Sequence, residues 1–315
     1  MRKIEILTEN DLEDKLCDCL SRHELPDCFL YVGPTGAESW INLDHSEEFP
    51  FASTLENLLR RNLPPIAERL PPGVGLLSLG VGEGRKERLL LAEFSRDRTV
   101  CYVAVDVSSH LVDLALEAVG DLNVAAVGVV AMTEDLPLFR VRWHSPLLIS
   151  LLGNNFSNYP PARILDLIRD QMGPDDHFLF DCHVLPGEVG KRESWRRSVE
   201  RIYGSGLNAR LNLAPLTRHG AIPDSCDFSL DLMTEPSEQG PPMRTRKGVR
   251  VLKNQTLFLH GDISPLRAGE IIEMGLTCKY TPDQVQALLR AHRFETVRRF
   301  LNFEGDSMLV LARPV

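Results

Sequence analysis

Residues 76–88 of this 315-residue chain read LLSLGVGEGRKER, which sets Gly80, Gly82 and Gly84 at alternate positions between an apolar run and a charged, helix-forming stretch. Glycine lets a backbone turn tightly and approach a ligand closely, and the amides that open a helix attract an anionic group. A glycine loop between a strand and a helix is therefore the setting of a nucleoside-cofactor site. Arg85 stands where the third glycine of G-x-G-x-x-G would fall, so the motif by itself also fits a tight structural turn. Asp106 sharpens the reading. It ends the next apolar run, YVAVD, where a carboxylate can accept hydrogen bonds from both hydroxyls of a ribose. Its competing role is to cap the following helix, a task for which Ser108 is the other candidate. Asn158 closes the run LLGNNFSN, beyond another strand, where ligands of open α/β sheets gather; otherwise it is a turn residue ahead of Tyr159-Pro160.

The elements that must position these residues alternate cleanly. Strand-like apolar runs fall at 74–79, 100–105, 122–131, 146–153 and 177–184. Between them lie helical patterns at 85–95, with Leu90, Leu91 and Phe94 on one face, at 109–119, with Leu111, Leu114 and Ala118, and at 162–172, with Ile164, Leu167 and Ile168. Continuous apolar strands separated by amphipathic helices predict a parallel sheet covered on both faces, a doubly wound α/β core. The tail differs. TPDQVQALLRAHRF, 281–294, opens with a capping box from Thr281 to Gln284 and Pro282 in the first turn. VRRFLNF and SMLVLARPV then read as two strands joined by EGD, a C-terminal antiparallel hairpin. That order is typical of class I methyltransferases and favours S-adenosyl-L-methionine (SAM) over NAD.

The predicted fold is thus a Rossmann-like sheet over residues 62–203 and 280–315. Residues 1–61 and 204–279 form a smaller α+β substrate-binding or lid domain, expected over the open edge of the sheet. Within it, 204–274 lack a clear period, and EPSEQGPPMRTRKG reads as an exposed loop.

Hydrophobic residues at 43% and charged residues at 25% place the chain among ordinary globular proteins, and a net charge of −9 argues against a phosphate-backbone partner. No apolar stretch reaches the roughly 18 residues needed to span a bilayer, and the N-terminus turns acidic at once, so a cytoplasmic enzyme with no membrane partner is expected. Seven scattered cysteines read as buried free thiols, and Cys17-Asp18-Cys19 lacks metal-ligand spacing, so no metal is expected.

LGVGEGRKERLLLAEF, YVAVDVSSHLV, LISLLGNNFSN and AGEIIEMGLTCKY together resemble, in order and spacing, the histidine Nα-methyltransferases of ergothioneine biosynthesis and their relatives, over roughly residues 70–315. The resemblance implies an amino-acid N-methyltransferase with SAM as cofactor. Gly80 and Gly82 would meet the methionine part of SAM, with Gly84 completing the loop and Lys86 and Arg88 on the helix beyond. Asp106 would hold the ribose. Met132 and Thr133 fall where the family binds adenine, usually with an Asp-hydrophobic pair, and Asn158 where it orients the substrate's α-amino group. The chain departs from the family at its last motif. The glutamate and serine that grip the imidazole of histidine correspond to Gly275 and Thr277, and only a register slip would bring Glu273 into that place. The tyrosines of the family's amino-acid pocket have no counterpart here beyond EEFPFA, with Phe49 and Phe51. The expected substrate is therefore a small amino acid or an amine derived from one, other than histidine. Two further readings stay open: attack on the aminopropyl carbon of SAM with release of methylthioadenosine, and a silent SAM-binding partner subunit. His183 and Asp181, in LFDCHVLPGE, lie at a strand end as candidate base and buried acid, and Tyr31, Trp40 and Tyr203 as candidates for an aromatic cage.

Overall fold

The computed structural model describes residues 2–140, 143–144, 146–233, 243–259 and 262–315. Its contacts divide the chain into two compact units: residues 1–6, 51–192 and 279–315, and residues 7–50 and 193–278.

The first unit is built on an eight-stranded sheet. In chain order its strands are β1 (Arg2–Glu5), β2 (Gly75–Leu79), β3 (Val100–Asp106), β4 (Val124–Val130), β5 (Leu147–Leu151), β6 (His177–His183), β7 (Phe294–Leu301) and β8 (Ser307–Pro314). Across the sheet they run β1-β4-β3-β2-β5-β6-β8-β7. The first six are parallel, β8 is antiparallel to β6, and β7 is antiparallel to β8. This is the Rossmann-like class I methyltransferase sheet with its antiparallel C-terminal hairpin, as the element order predicts. Strands β2, β5 and β6 are buried along their whole length, which is why they read as unbroken apolar runs.

Helices α1 (Phe51–Ala67), α2 (Arg85–Phe94), α3 (Ser109–Glu117), α4 (Pro161–Asp170) and α5 (Pro282–Ala291) belong to this unit. Leu55, Leu59, Leu90, Leu91, Val112 and Leu116 from α1, α2 and α3 bury against Leu76, Tyr102 and Leu148 of the sheet in one core cluster. Helix α5 starts as its sequence requires, with the Thr281 side chain accepting from Gln284 N and the Gln284 side chain accepting from Thr281 N. The edge strand β1 was not foreseen: RKIE carries three charges on four residues, and only its register with Val127–Val130 makes it a strand.

The second unit holds helices Glu9–Ser21, Gly33–Asp44 and Gly206–Arg218 and a four-stranded sheet in the order Glu24–Leu25, Ile271–Lys279, Met243–Val251, Cys226–Met233. A separate pair, Gln255–Leu259 and Asp262–Leu266, completes it. The stretch 204–274 is therefore far more regular than its composition suggests. Part of the expected exposed loop, Met243–Gly248, lies in a strand paired with Cys226–Met233, and residues 234–242 lie outside the described residues. All seven cysteines are free, but only Cys182 and Cys278 are fully buried. Among the described residues no helix is long and apolar enough to cross a membrane.

One buried charge fixes the floor of the first unit. Asp176, fully buried, accepts from Arg140 Nη2 at 2.6 Å, from Leu147 N at 2.8 Å and from Gly173 N at 2.9 Å, so it ties the start of β5 to the turn before β6. Removing one member of a buried pair strands the other charge. Asp176→Ala is expected to cost about 3–5 kcal/mol, read as a lower urea midpoint with an unchanged slope.

Candidate functional site

Because the six strands β1 to β6 are parallel, their carboxyl ends share one edge of the sheet, and the loops that leave β2, β3, β4, β5 and β6 carry the candidate residues there. The glycine loop leaves β2. Gly80, Gly82 and Gly84 have φ of 66°, 57° and 78°, a left-handed backbone that side-chain-bearing residues rarely adopt. Gly80 N and Val81 N donate to Val105 O at 2.8 and 3.1 Å, which draws the loop onto the end of β3. A side chain at Gly84 would come within 2.8 Å of the Ala115 backbone, so the third glycine serves the close packing of α3. Arg85, in the position of the third glycine of G-x-G-x-x-G, opens α2 and pairs with Glu56 of α1 at 2.9 Å and with Glu83 at 3.1 Å.

Asp106 is the centre of the loop cluster. One oxygen accepts from Gly82 N at 3.0 Å and the other from Ser108 N at 3.0 Å. Ser108, not Asp106, caps α3, its hydroxyl accepting from Leu111 N. The competing helix-cap role of Asp106 is thus filled by its neighbour. Burial pushes the Asp106 carboxyl up to about 6, against the opposing pull of the backbone N–H donors. Met132 and Thr133 lie half-buried just beyond β4, where Met132 N donates to Asp135 Oδ2 at 2.9 Å and opens a single turn of helix over Thr133–Asp135.

The second loop, GNNFSN, leaves β5. It runs against the glycine loop: Asn155 Nδ2 donates to Leu152 O at 2.8 Å and to Gly80 O at 3.4 Å. Asn158 is the last residue of its short helix, Asn155–Asn158, and is half-buried. Asp181, the candidate buried acid, anchors this loop by accepting from Gly153 N at 2.7 Å and from Asn154 N at 3.1 and 3.2 Å. Burial raises its carboxyl to about 6 as well. Lys86, 6% exposed, lies close by and contributes to holding that carboxyl down. Arg88 is placed elsewhere, bound to Asp121 and to Ala118 O.

His183 ends β6, 3% exposed, with its ring 3.6 Å from that of Phe51 and its Nδ1 3.5 Å from Lys279 Nζ. Burial and the neighbouring ammonium hold it well below the usual histidine range, so the imidazole is neutral.

In the second unit, Gly275 and Thr277 lie on the strand Ile271–Lys279. Thr277 is 2% exposed, its backbone bonded in both directions to Thr245 Oγ1 at 3.2 Å. The space beside Gly275 is not empty, as the missing side chain implied. A Cβ there would lie 2.6 Å from Asp27 Oδ1, and that carboxylate is bound to Lys247 Nζ at 2.7 Å. Glu273 does not take the vacated role, since it is largely exposed and bound to Arg246 at 2.5 Å. Tyr31 and Trp40 meet edge to face at 5.4 Å, and Trp40 meets Phe49 at 6.1 Å, which is aromatic packing. Tyr203 is buried under the influence of Asp27, which with burial pushes its hydroxyl up. Sequence reasoning missed Asp27 and Lys247, because they are 220 positions apart and carry no local motif.

Residues 12–314 match the protein family described as "Histidine-specific methyltransferase, SAM-dependent". Solved structures to which the chain is similar include the CcbJ methyltransferase from Streptomyces caelestis, at 14% identity over 82% of this chain and 96% of that one, with a TM-score of 0.44. The PH0226 protein from Pyrococcus horikoshii is similar at 12% identity over 86% and 93%, with a TM-score of 0.46. The magnesium protoporphyrin IX methyltransferase from Synechocystis with bound SAH is similar at 11% identity over 90% and 96%, with a TM-score of 0.45. No curated protein matches the sequence.

The two raised carboxyls set a pH dependence. With folded values of about 6, Asp106 and Asp181 bind protons more tightly in the folded protein than in the unfolded chain. The stability they contribute is fully present below about pH 4 and is lost as pH rises through 6, at about 3 kcal/mol for each. In urea titrations of the ligand-free protein, the stability difference between wild type and Asp106→Asn/Asp181→Asn should therefore change between pH 4 and 7, wild type losing ground as pH rises. A pH-independent difference would refute the assignment.

Proposed function

Because the chain belongs to the SAM-dependent methyltransferase family described as histidine-specific, and is accordingly a transferase with SAM as its cofactor, we propose that it methylates the amine of a small amino acid or an amino-acid-derived amine other than histidine. The observation that carries this reading is the contact between the two loops: the glycine loop and the GNNFSN loop touch through Asn155 and Gly80. A methyl donor on the first and an amine on the second would be neighbours.

The residues present fit the cofactor. Gly80 and Gly82 offer left-handed backbone with no side chain, and the Asp106 carboxylate, which accepts from the backbone of Gly82, Ser108 and Val107, stands beside them at the end of β3. In this reading Asp106 takes the ribose hydroxyls, Met132 and Thr133 flank the adenine, Lys86 and the amides of the glycine loop meet the methionine end, and Asn158 receives the acceptor amine. When bound, SAM supplies an electrophilic methyl group on sulfur. The chain's own part is alignment of the amine and exclusion of water, so no triad is required if the amine arrives deprotonated. His183, neutral and packed under Phe51, suits a structural role at the edge of this arrangement.

Two features argue against histidine. Gly275 offers no carboxylate, and the nearby Asp27 carboxylate is already neutralised by Lys247. An imidazole side chain would find no uncommitted acid on this strand.

Asp106→Ala should weaken SAM binding by about 1.5–3 kcal/mol, the worth of hydrogen bonds to a charged acceptor, and Gly82→Val should abolish it by placing a branched side chain at a φ of 57°. Isothermal titration with SAM measures both, and wild-type affinity in either variant would remove the cofactor assignment at that residue. For the substrate, Gly275→Glu alone should destabilise the protein by about 1–3 kcal/mol, because the new side chain must displace Asp27 from Lys247. Asp27→Gly/Gly275→Glu should restore stability by giving Lys247 a new partner, and adding Lys247→Met, which frees that carboxylate, should raise histidine turnover from a low base. A screen of the proteinogenic amino acids with labelled SAM gives the ranking, and histidine emerging as the best substrate of the unaltered protein would overturn the proposal.

A further inference from the structure

The GNNFSN loop turns through two left-handed residues in succession. Gly153 and Asn154, adjacent, have φ of 88° and 62°. Glycine adopts that region freely and asparagine more readily than other residues with side chains, so the turn costs little in torsion, but its inward-facing amides need an acceptor. That acceptor is Asp181. Its carboxylate, 1% exposed, accepts the N–H of both residues, at 2.7 Å from Gly153 and 3.1 and 3.2 Å from Asn154. The effect passes on through Asn154, whose Oδ1 accepts from His183 N and from Ser157 Oγ, each at 2.9 Å. Ser157 immediately precedes Asn158. The second partner of the carboxylate comes from the other loop: Lys86 lies in the first turn of α2, and its Cε and Nζ are 3.8 and 3.9 Å from the place a Gly153 Cβ would occupy.

We propose that Asp181, together with Lys86, is a positioning device for the acceptor amine: the ionised carboxylate sets the backbone of residues 153–158, and so the placement of Asn158, without itself touching substrate. The proposal rests on the reading of Asn158 as the group that receives the amine. Lys86 on α2 is the charge that acts on Asp181, Asp181 and Lys279 both act on the adjacent Cys182 thiol, Lys279 also lies against His183, and the partner of Asp181 on β8 is the apolar Leu309. Burial is the stronger influence and opposes the pull of Lys86, so the carboxylate titrates near pH 6. Protonation removes the negative charge that the two amides and Lys86 share, and the loop loses its fixed shape.

The first test needs no ligand. In the ¹⁵N-labelled wild-type protein, the amide resonances of Gly153 and Asn154 should titrate together with a midpoint near pH 6, and Asp181→Asn should abolish that titration. Resonances that do not move between pH 5 and 8 would overturn the proposal. The second test uses the amino acid ranked first in the screen with labelled SAM. Asp181→Asn, which is close in shape and keeps one acceptor oxygen, should raise KM for that amino acid about tenfold or more, while kcat and the SAM dissociation constant stay within about threefold. Asp181→Glu should recover part of the loss. An unchanged KM, or an equal loss of SAM and amino-acid binding, would assign Asp181 a purely structural role. If wild type methylates no amino acid, the substrate reading fails, and the amide titration still decides the clamp.

Discussion

Sharp turns at the carboxyl ends of parallel strands leave backbone amides pointing inward, away from water and without sheet partners. A buried N–H must find an acceptor or its loop will not hold. In this protein two carboxylates meet that demand: Asp106 for the loops after β2 and β3, and Asp181 for the loop after β5. Both are bought at the same cost, a carboxylate kept from water, and both are pushed to about 6 by burial. The amides of the glycine loop and of GNNFSN are taken up by these acceptors and by the strand-end carbonyl of Val105 beneath them. The loops after β2 and β5 are thus shaped by one physical device used twice on the same edge of the sheet.

The sheet was largely legible because burial on both faces erases alternation. GLLSL, LLISL and HFLFDCH read as continuous runs, and their helices show apolar faces at three- and four-residue spacing. The C-terminal hairpin was legible from its tight turn and from the apolar strand Ser307–Pro314, buried over its first six residues, with the preceding helix announced by Thr281 and Gln284. Where apolar runs are absent, legibility ends. RKIE is a strand only because Val124–Val130 offers it an open edge. CDFSLDLM did carry a period of two, with Phe228, Leu230 and Leu232 alternating against Asp227, Ser229 and Asp231, but it sits in a stretch whose prolines and glycines masked it.

The candidate site divides along the same line. The placement of Gly80, Gly82 and Asp106 at strand ends was legible because ligand loops recur after strands and glycine is visible in any sequence. Asp181 was legible only as a buried acid, since its bonds to the loop exist only through amides 27 and 28 positions away. Asp27 and Lys247 could not be found at all from sequence, being joined only by the fold of their unit.

That last pair changes what the departure at Gly275 means. A glycine in place of a glutamate reads in sequence as a deletion, a pocket made larger and less acidic. Asp27 fills the space, so the volume is not gained, and Lys247 cancels its charge, so the acidity is not kept. An aspartate on a separate segment, tied to a lysine that is only 6% exposed, is a more rigid and more neutral surface than a glutamate reaching from the strand itself. The glycine is what leaves room for the pair: a Cβ at 275 would stand 2.6 Å from Asp27 Oδ1, so a side chain there would push the carboxylate away from Lys247.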